Sequence, residues 1–361
     1  MLHPGPGLAL SGTIWTGGDA EPRADSVVLV DASGWVDRVG PAASVDLPPD
    51  VTTVGGAGAW VGPGVVDAHV HLAFGSPDEA VRHGVVGVRD LGAPPDLARR
   101  LRSESAASGP VVRVAGPLIT APGGYPSRSW GSAGFARFVD SPQVARAAVR
   151  ELARDGVDLV KVALEPAGGQ PVPSLDEIRA VVGAAHDAGL RVTAHALSAA
   201  MVRRALDAGV DELCHTPIEL LDSADVERIA GSGVTVVSTL QTFCAGGDCR
   251  DARANASALV AAGVPLVYGT DLGNAGTRPG VDPGELRLLA DSGLGTLGAL
   301  RAATEDSARL VGGGLTGRIV EGEPATLVVL PGDPLADPEL WRRPDLVMVS
   351  GRVELSTGER A

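Results

Sequence analysis

Short apolar runs rich in Val and Ile, broken by Gly, Pro and Asp, open and close the chain. LALSGTIWTG, SVVLVDASGWVDRVG and VTTVGGAGAWVGPG lie near the N terminus. GRIVEGEPATLVVLPGD and LVMVSGRVEL lie near the C terminus. Such runs are strand signals. Two all-β ends around a different middle predict one small β-sandwich domain, assembled from residues 1–62 plus 313–361. The middle, residues 63–312, alternates apolar runs with helical patterns. Candidate strands are Gly64–His71, Gly84–Asp90, Val111–Ile119, Val157–Leu164, Arg191–Ala196, Glu212–Thr216, Thr235–Thr239 and Leu266–Asp271. Between them lie SPQVARAAVRELARDG, SLDEIRAVVGAAHDAG and SAAMVRRALDAG. Each starts on Ser and ends near Gly, the residues that cap helix N and C termini. Strand and helix alternating eight times predicts an α/β fold, a (β/α)8 TIM-like barrel.

The polar residues of these strands gather at their C-terminal ends. VVDAHVH carries His69 and His71, DLVKVAL carries Lys161, RVTAHAL carries His195, DELCHTP carries His215 and LVYGTDLG carries Asp271. That end of a parallel barrel is where catalytic residues sit. Residues i and i+2 of a strand share a face, so His69 and His71 can both point into the barrel mouth. Imidazoles and carboxylates are ligands for zinc-like divalent metals.

Composition sharpens this. Of 30 basic residues only Lys161 is lysine. Arginine keeps its proton in a protein, whereas a buried lysine can lose it. A neutral amine beside metals can capture carbon dioxide, and the resulting carbamate is a carboxylate on a long arm, able to bridge two ions. With 44% hydrophobic residues the chain can bury a core. The net charge of −14 argues against nucleic acid and against anionic membranes as partners. No apolar run approaches the roughly 20 residues of a membrane-spanning helix. The absence of a leader pattern and the odd cysteine count predict a cytoplasmic protein.

GPGVVDAHVH, GVRDLGAP, VDLVKVAL, VTAHAL, DELCHTP, YGTDLG and ELRLLADSGLGTLGALRAATEDSARLVG together resemble the amidohydrolase superfamily, more closely its imidazolonepropionase-like and Xaa-Pro dipeptidase-like branch. The resemblance implies a binuclear centre of two divalent ions, zinc first among them. His69, His71 and Asp271 would bind the more buried ion, and His195 and His215 the more exposed one. N6-carboxylated Lys161 and a hydroxide would bridge the pair. Asp271 would accept the proton of the attacking hydroxide and return it to the leaving group. The implied activity is hydrolysis of an amide-type C–N bond in a small molecule, a dipeptide or N-acyl amino acid. A cyclic amide, imide or lactone, as in secondary metabolism, is the alternative substrate. A catalytically silent binding or scaffold relative is the alternative of another class. Similar proteins are commonly homo-oligomers.

Two loops depart from the branch. APGGYPSRSW puts Tyr125 where a histidine is expected, and EPAGGQPVP replaces a glycine-rich form. Tyr125, Arg128, Gln241, Asn274 and Arg278 lie on loops after strands three, seven and eight and are the candidate substrate-binding residues. An arginine fork there could hold a carboxylate. Arg89 and Asp90 are expected to pair and brace the mouth. Cys214 is expected to face away from His215 into the core. Cys244 and Cys249 could pair or bind metal. His3, His83 and His186 are expected to be ordinary.

Overall fold

The computed structural model describes residues 7–274 and 276–357; His3 lies outside them. The fold is α/β, a TIM-like barrel joined to a smaller β unit drawn from both ends of the chain. Four N-terminal strands, β1 (Leu8–Ile14), β2 (Arg23–Val30), β3 (Val36–Pro41) and β4 (Thr52–Pro63), form the first part of that unit. The barrel strands follow: β5 (Val65–Val70), β6 (Val85–Asp90), β7 (Val111–Val114), β8 (Leu118–Thr120), the short outer β9 (Ala136–Phe138), β10 (Val160–Ala163), β11 (Val192–His195), β12 (Glu212–Leu213), β13 (Thr235–Val237) and β14 (Leu266–Val267). The chain returns through β15 (Leu327–Leu330), β16 (Leu346–Val349) and β17 (Arg352–Ser356).

The terminal strands make one continuous ladder in the order β17-β16-β15-β4-β1-β2-β3. Its register jumps where Ser11 faces Gly55 and Thr13 faces Trp60, so the intervening residues of β4 bulge out of the ladder. Alternation then divides the apolar side chains of β1 and β2. Leu10, Val28 and Val30 pack with Val61, Leu327 and Val329, while Ala9, Val27 and Leu29 pack on the other side.

The barrel strands fall into two parallel ladders, β5-β6-β7 and β14-β13-β12-β11-β10-β8-β9. Strand three is divided between them because Gly116 takes φ of 67° and Pro117 has no N–H to donate. Its first half accepts from Asp158 N–H at Val114 O (2.8 Å), and its second half pairs with β10 through Ile119 and Val162. At the opposite seam Ala68 N–H donates to Tyr268 O (3.1 Å), Asp271 N–H to His69 O (2.8 Å) and His71 N–H to Leu272 O (2.7 Å). Helices Pro142–Asp155, Leu175–Asp187 and Ala199–Ala208 start on the expected Ser141, Ser174 and Ser198 caps. Ser174 and Glu177 complete a reciprocal capping box. Among the described residues no helix is long and apolar enough to cross a membrane.

Arg89 and Asp90 do not pair. Adjacent residues of a strand face opposite sides, so Arg89 turns inward to Glu212 (2.7 Å) and to Ala68 O (2.9 Å). Asp90 accepts from the N–H groups of Leu72 (2.7 Å) and Gly92 (3.1 Å). Glu212 is fully buried and also meets the half-exposed Arg191 at 3.1 Å, so a buried Arg89–Glu212 pair inside the barrel is joined by Arg191 from its edge.

Candidate metal centre

The ladders of β12 and β14 end at Leu213 and Val267, before the polar residues begin. The chemistry-bearing side chains therefore sit just beyond the last paired residues. Asp67 holds two of these ends together. Its carboxylate accepts from His69 N–H (3.0 Å), Thr270 N–H (3.1 Å) and Thr270 Oγ1–H (2.6 Å), tying the DAHVH segment to the TDLG turn. Asp271 then takes φ of 54°, a left-handed conformation uncommon outside glycine. Its carboxylate is thereby turned onto the histidines.

Asp271 Oδ1 lies 3.2 Å from His69 Nε2 and 3.3 Å from His71 Nε2. One ligand atom from each of these three residues falls within 4.8 Å of the others. Lys161 Nζ is 3.1 Å from His69 Nε2, and His195 Nδ1 is 2.9 Å from His215 Nε2. His69, His71, Lys161, His195, His215 and Asp271 are all buried. Orientation comes from behind. His69 Nδ1 is 2.8 Å from Cys214 O, a contact that puts its hydrogen on Nδ1 and leaves Nε2 free as a donor of electrons. His215 Nδ1 is likewise 2.9 Å from Thr239 Oγ1.

Burial holds the imidazoles of His69 and His195 well below their usual pKa and pushes His215 down to about 3. Neighbouring Lys161 adds to this in each case. Burial alone would raise the Asp271 carboxyl, but the imidazoles of His69, His71 and His215 hold it well below the usual range. Neutral imidazoles at His69, His195 and His215 and an ionised carboxylate at Asp271 are the protonation states in which such groups ligate metals. His195 Nε2, His71 Nδ1 and Asp271 Oδ1 are buried without a well-directed hydrogen bond. Buried nitrogen and oxygen atoms without protein partners suit a cation, and the donor set fits one.

A cavity of about 180 Å³ opens above the cluster. Tyr125 and Asn274 line it, as do Phe74, Leu118, Trp130 and Gly273, which carried no signal in the sequence. Arg128 and Arg278 are exposed and are not among its described lining residues. Gln241 is not among them either; its amide lies over Gly284, and its N–H donates to Glu285 (2.6 Å). Asn274 Nδ2 donates to Asp271 O (2.9 Å). Cys214 is fully buried, but alternation stops with the ladder at Leu213. Its sulfur falls within 4.8 Å of ligand atoms of His69 and His215. Cys244 and Cys249 are joined in a disulfide behind strand seven. His83 bonds Arg342 O (2.9 Å), and the exposed His186 meets Asp211 (3.0 Å), both away from the cluster.

Comparison with known proteins identifies the family and the fold. Residues 60–353 match the model of the amidohydrolase family. The chain is 30% identical over 334 residues to an uncharacterised protein of Mycobacterium tuberculosis, covering 82% of this chain and 85% of that one. A prolidase solved with N-methylphosphonate-L-proline superposes with a TM-score of 0.81 at 26% identity, covering 96% and 98% of the two chains. The Aspergillus niger ochratoxinase shares the fold, with a TM-score of 0.80 at 20% identity over 97% and 96% of the chains.

Proposed function

Because the chain belongs to the amidohydrolase family, we propose that it is a two-metal hydrolase of an amide-type C–N bond in a small molecule. One observation carries this reading: six potential ligands from five strand ends converge in one buried cluster under one cavity. His69, His71 and Asp271 would hold the inner ion, and His195 and His215 the outer one. Lys161, carboxylated on Nζ, would join them. Divalent ions held there, zinc the first to test, would supply a water of lowered pKa and a Lewis acid for the scissile carbonyl.

The protein's own part is orientation and proton transfer. Asp271, fixed by its turn and by the Asp67–Thr270 bonds, takes the proton of the attacking water and delivers it to the leaving nitrogen. Cys214 O sets the tautomer of His69, and Thr239 Oγ1 holds the ring of His215 in orientation. The barrel residues 63–312 are the catalytic unit in this reading, and residues 1–62 with 313–361 buttress it. Dipeptides and N-acyl amino acids, the class closest to the similar prolidase, are the reference substrates.

Metal content tests this directly. The purified protein, reconstituted with zinc and bicarbonate, should hold two ions per chain by elemental analysis, and labelled bicarbonate should give a carbamate carbon signal by NMR. Lys161→Arg should abolish that signal and lower the metal content. Two tightly bound ions in Lys161→Arg, or none in the wild type, would refute the reading.

A further inference from the structure

The cavity wall opposite the ligands is aromatic, and it comes from the loop that departs from the family pattern. After β8 the chain runs through residues 121–135 and lays two rings on the metal-site imidazoles. Tyr125 stacks on His195 with centroids 4.9 Å apart and planes 28° apart. Trp130 meets His71 edge-on at 4.9 Å. The two rings are braced together, because Trp130 Nε1–H donates to Tyr125 OH at 3.1 Å. Phe74 adds a third ring, 6.0 Å from Trp130 at 86°, and Phe135 backs both Phe74 and Trp130. Phe74 remains 51% exposed at the mouth, an apolar ring with one side uncovered.

The charge of the cavity is as one-sided as its shape. Among its described lining residues there is no arginine, and its one lysine, Lys161, is turned to His69. Asp271 supplies a carboxylate on the floor. A substrate carboxylate on the aromatic side would therefore lose water without meeting a cation. A carboxylate that reached the ions instead would take the place of the scissile carbonyl and block the reaction. The cavity, about 180 Å³ with an open mouth, is on the scale of the roughly 150 Å³ void that takes up one benzene.

We propose that Phe74, Tyr125 and Trp130 make this site select small uncharged aryl amides over dipeptides and N-acyl amino acids. The proposal rests on the amide-hydrolase reading above and deepens it to a substrate class. The aryl group slots edge-on or offset against Trp130 and Tyr125, the favoured aromatic geometries, and the amide carbonyl faces the ligand cluster. Hydrolysis adds water across the C–N bond. The acyl carbon keeps the hydroxyl, and the amine leaves with the proton that Asp271 took from water.

The test uses the zinc-loaded full chain and matched pairs differing only in a distal carboxylate: acetanilide against 4-acetamidobenzoate, and N-methylbenzamide against 4-(methylcarbamoyl)benzoate. Glycyl-proline and N-acetyl-phenylalanine complete the set. The uncharged member of each pair should have a kcat/KM at least 100-fold higher. Trp130→Ala should erase most of that ratio through KM with metal content unchanged, and Trp130→Phe should keep it. Binding of acetanilide, followed by calorimetry, gives a readout independent of turnover. If dipeptides are cleaved and aryl amides are neither bound nor cleaved, the substrate class is wrong while the hydrolase reading stands. If acetanilide binds in a Trp130-dependent way but no amide is cleaved, the aryl site stands and the hydrolase reading falls. A ratio below tenfold, or one that survives Trp130→Ala, overturns the proposal.

Discussion

Replacing Glu212 by Gln should be among the most destabilising single changes in the barrel, and replacing its partner Arg89 by Met should cost distinctly less. Glu212 is fully buried between two guanidinium groups, at 2.7 Å from Arg89 and 3.1 Å from Arg191. The Arg89 side chain is 3% exposed and that of Arg191 is 48% exposed. Loss of Glu212 strands a buried cation whose remaining bond is to Ala68 O. Two charges about 4 Å apart at an effective dielectric of about 20 attract by about 4 kcal/mol, and breaking a buried pair from one side costs about 3–5 kcal/mol. Glu212→Gln belongs in that range. Arg89→Met leaves the carboxylate with Arg191, which can still neutralise it from the barrel edge, so about 1–3 kcal/mol is expected. In Arg89→Met/Glu212→Leu the desolvated charges vanish together and Arg191 swings into water, which should bring stability back to within about 1 kcal/mol of wild type. Urea unfolding at fixed saturating zinc measures this, with midpoints and slopes compared. The reasoning fails if Arg89→Met costs as much as Glu212→Gln, or if the double variant shows the sum of the single losses.

Three other outcomes follow from the structure. Burial pushes the Glu285 carboxyl from 4.5 up to about 8, against the hydrogen bonds it accepts from Ser238, Gln241 and Leu240. A carboxyl raised in the folded state contributes stability that is full below pH 4.5 and drains away as pH rises toward 8, on the order of 5 kcal/mol at most. Glu285→Gln should flatten the urea midpoint between those two pH values, and an unchanged slope would contradict the assignment. Thr239 sits at φ of 47° with its hydroxyl on His215 Nδ1. Thr239→Val should weaken zinc binding by about 10–100-fold in chelator competition while Thr239→Ser keeps it; equal affinities for Val and Ser would show that the hydroxyl orients nothing. Asp271→Asn should lower kcat by about 10²–10⁴-fold, with the larger loss in kcat than in KM, and near wild-type turnover would remove Asp271 from proton transfer.

The barrel and the buried cluster of histidines, Lys161 and Asp271 were legible because both write themselves in periodic signals. Val-rich runs such as GVVDAHVH and VDLVKVAL announce strands, and a period of two places His69 and His71 on one face. A single lysine among 30 basic residues marks its own position. Serine and glycine punctuation set the helix ends for the same local reason. What only tertiary structure decided lies where periodicity stops. Arg89 was expected beside Asp90 but meets Glu212 across the barrel, a partner that no local spacing announces. Thr239 and Asp271 take left-handed conformations that local propensity disfavours, imposed by the bonds of Glu285, Asp67 and Thr270 around them. Residues 121–135 have no repeating pattern to read, so Trp130 gave no sign that it would lie on His71, or Arg128 that it would stay in solvent. Local sequence sets what each strand end carries, because alternation and propensity act over a few neighbours. Which loop closes over the cluster, and with what walls, depends on contacts between segments far apart in the chain, and these exist only once the barrel has formed.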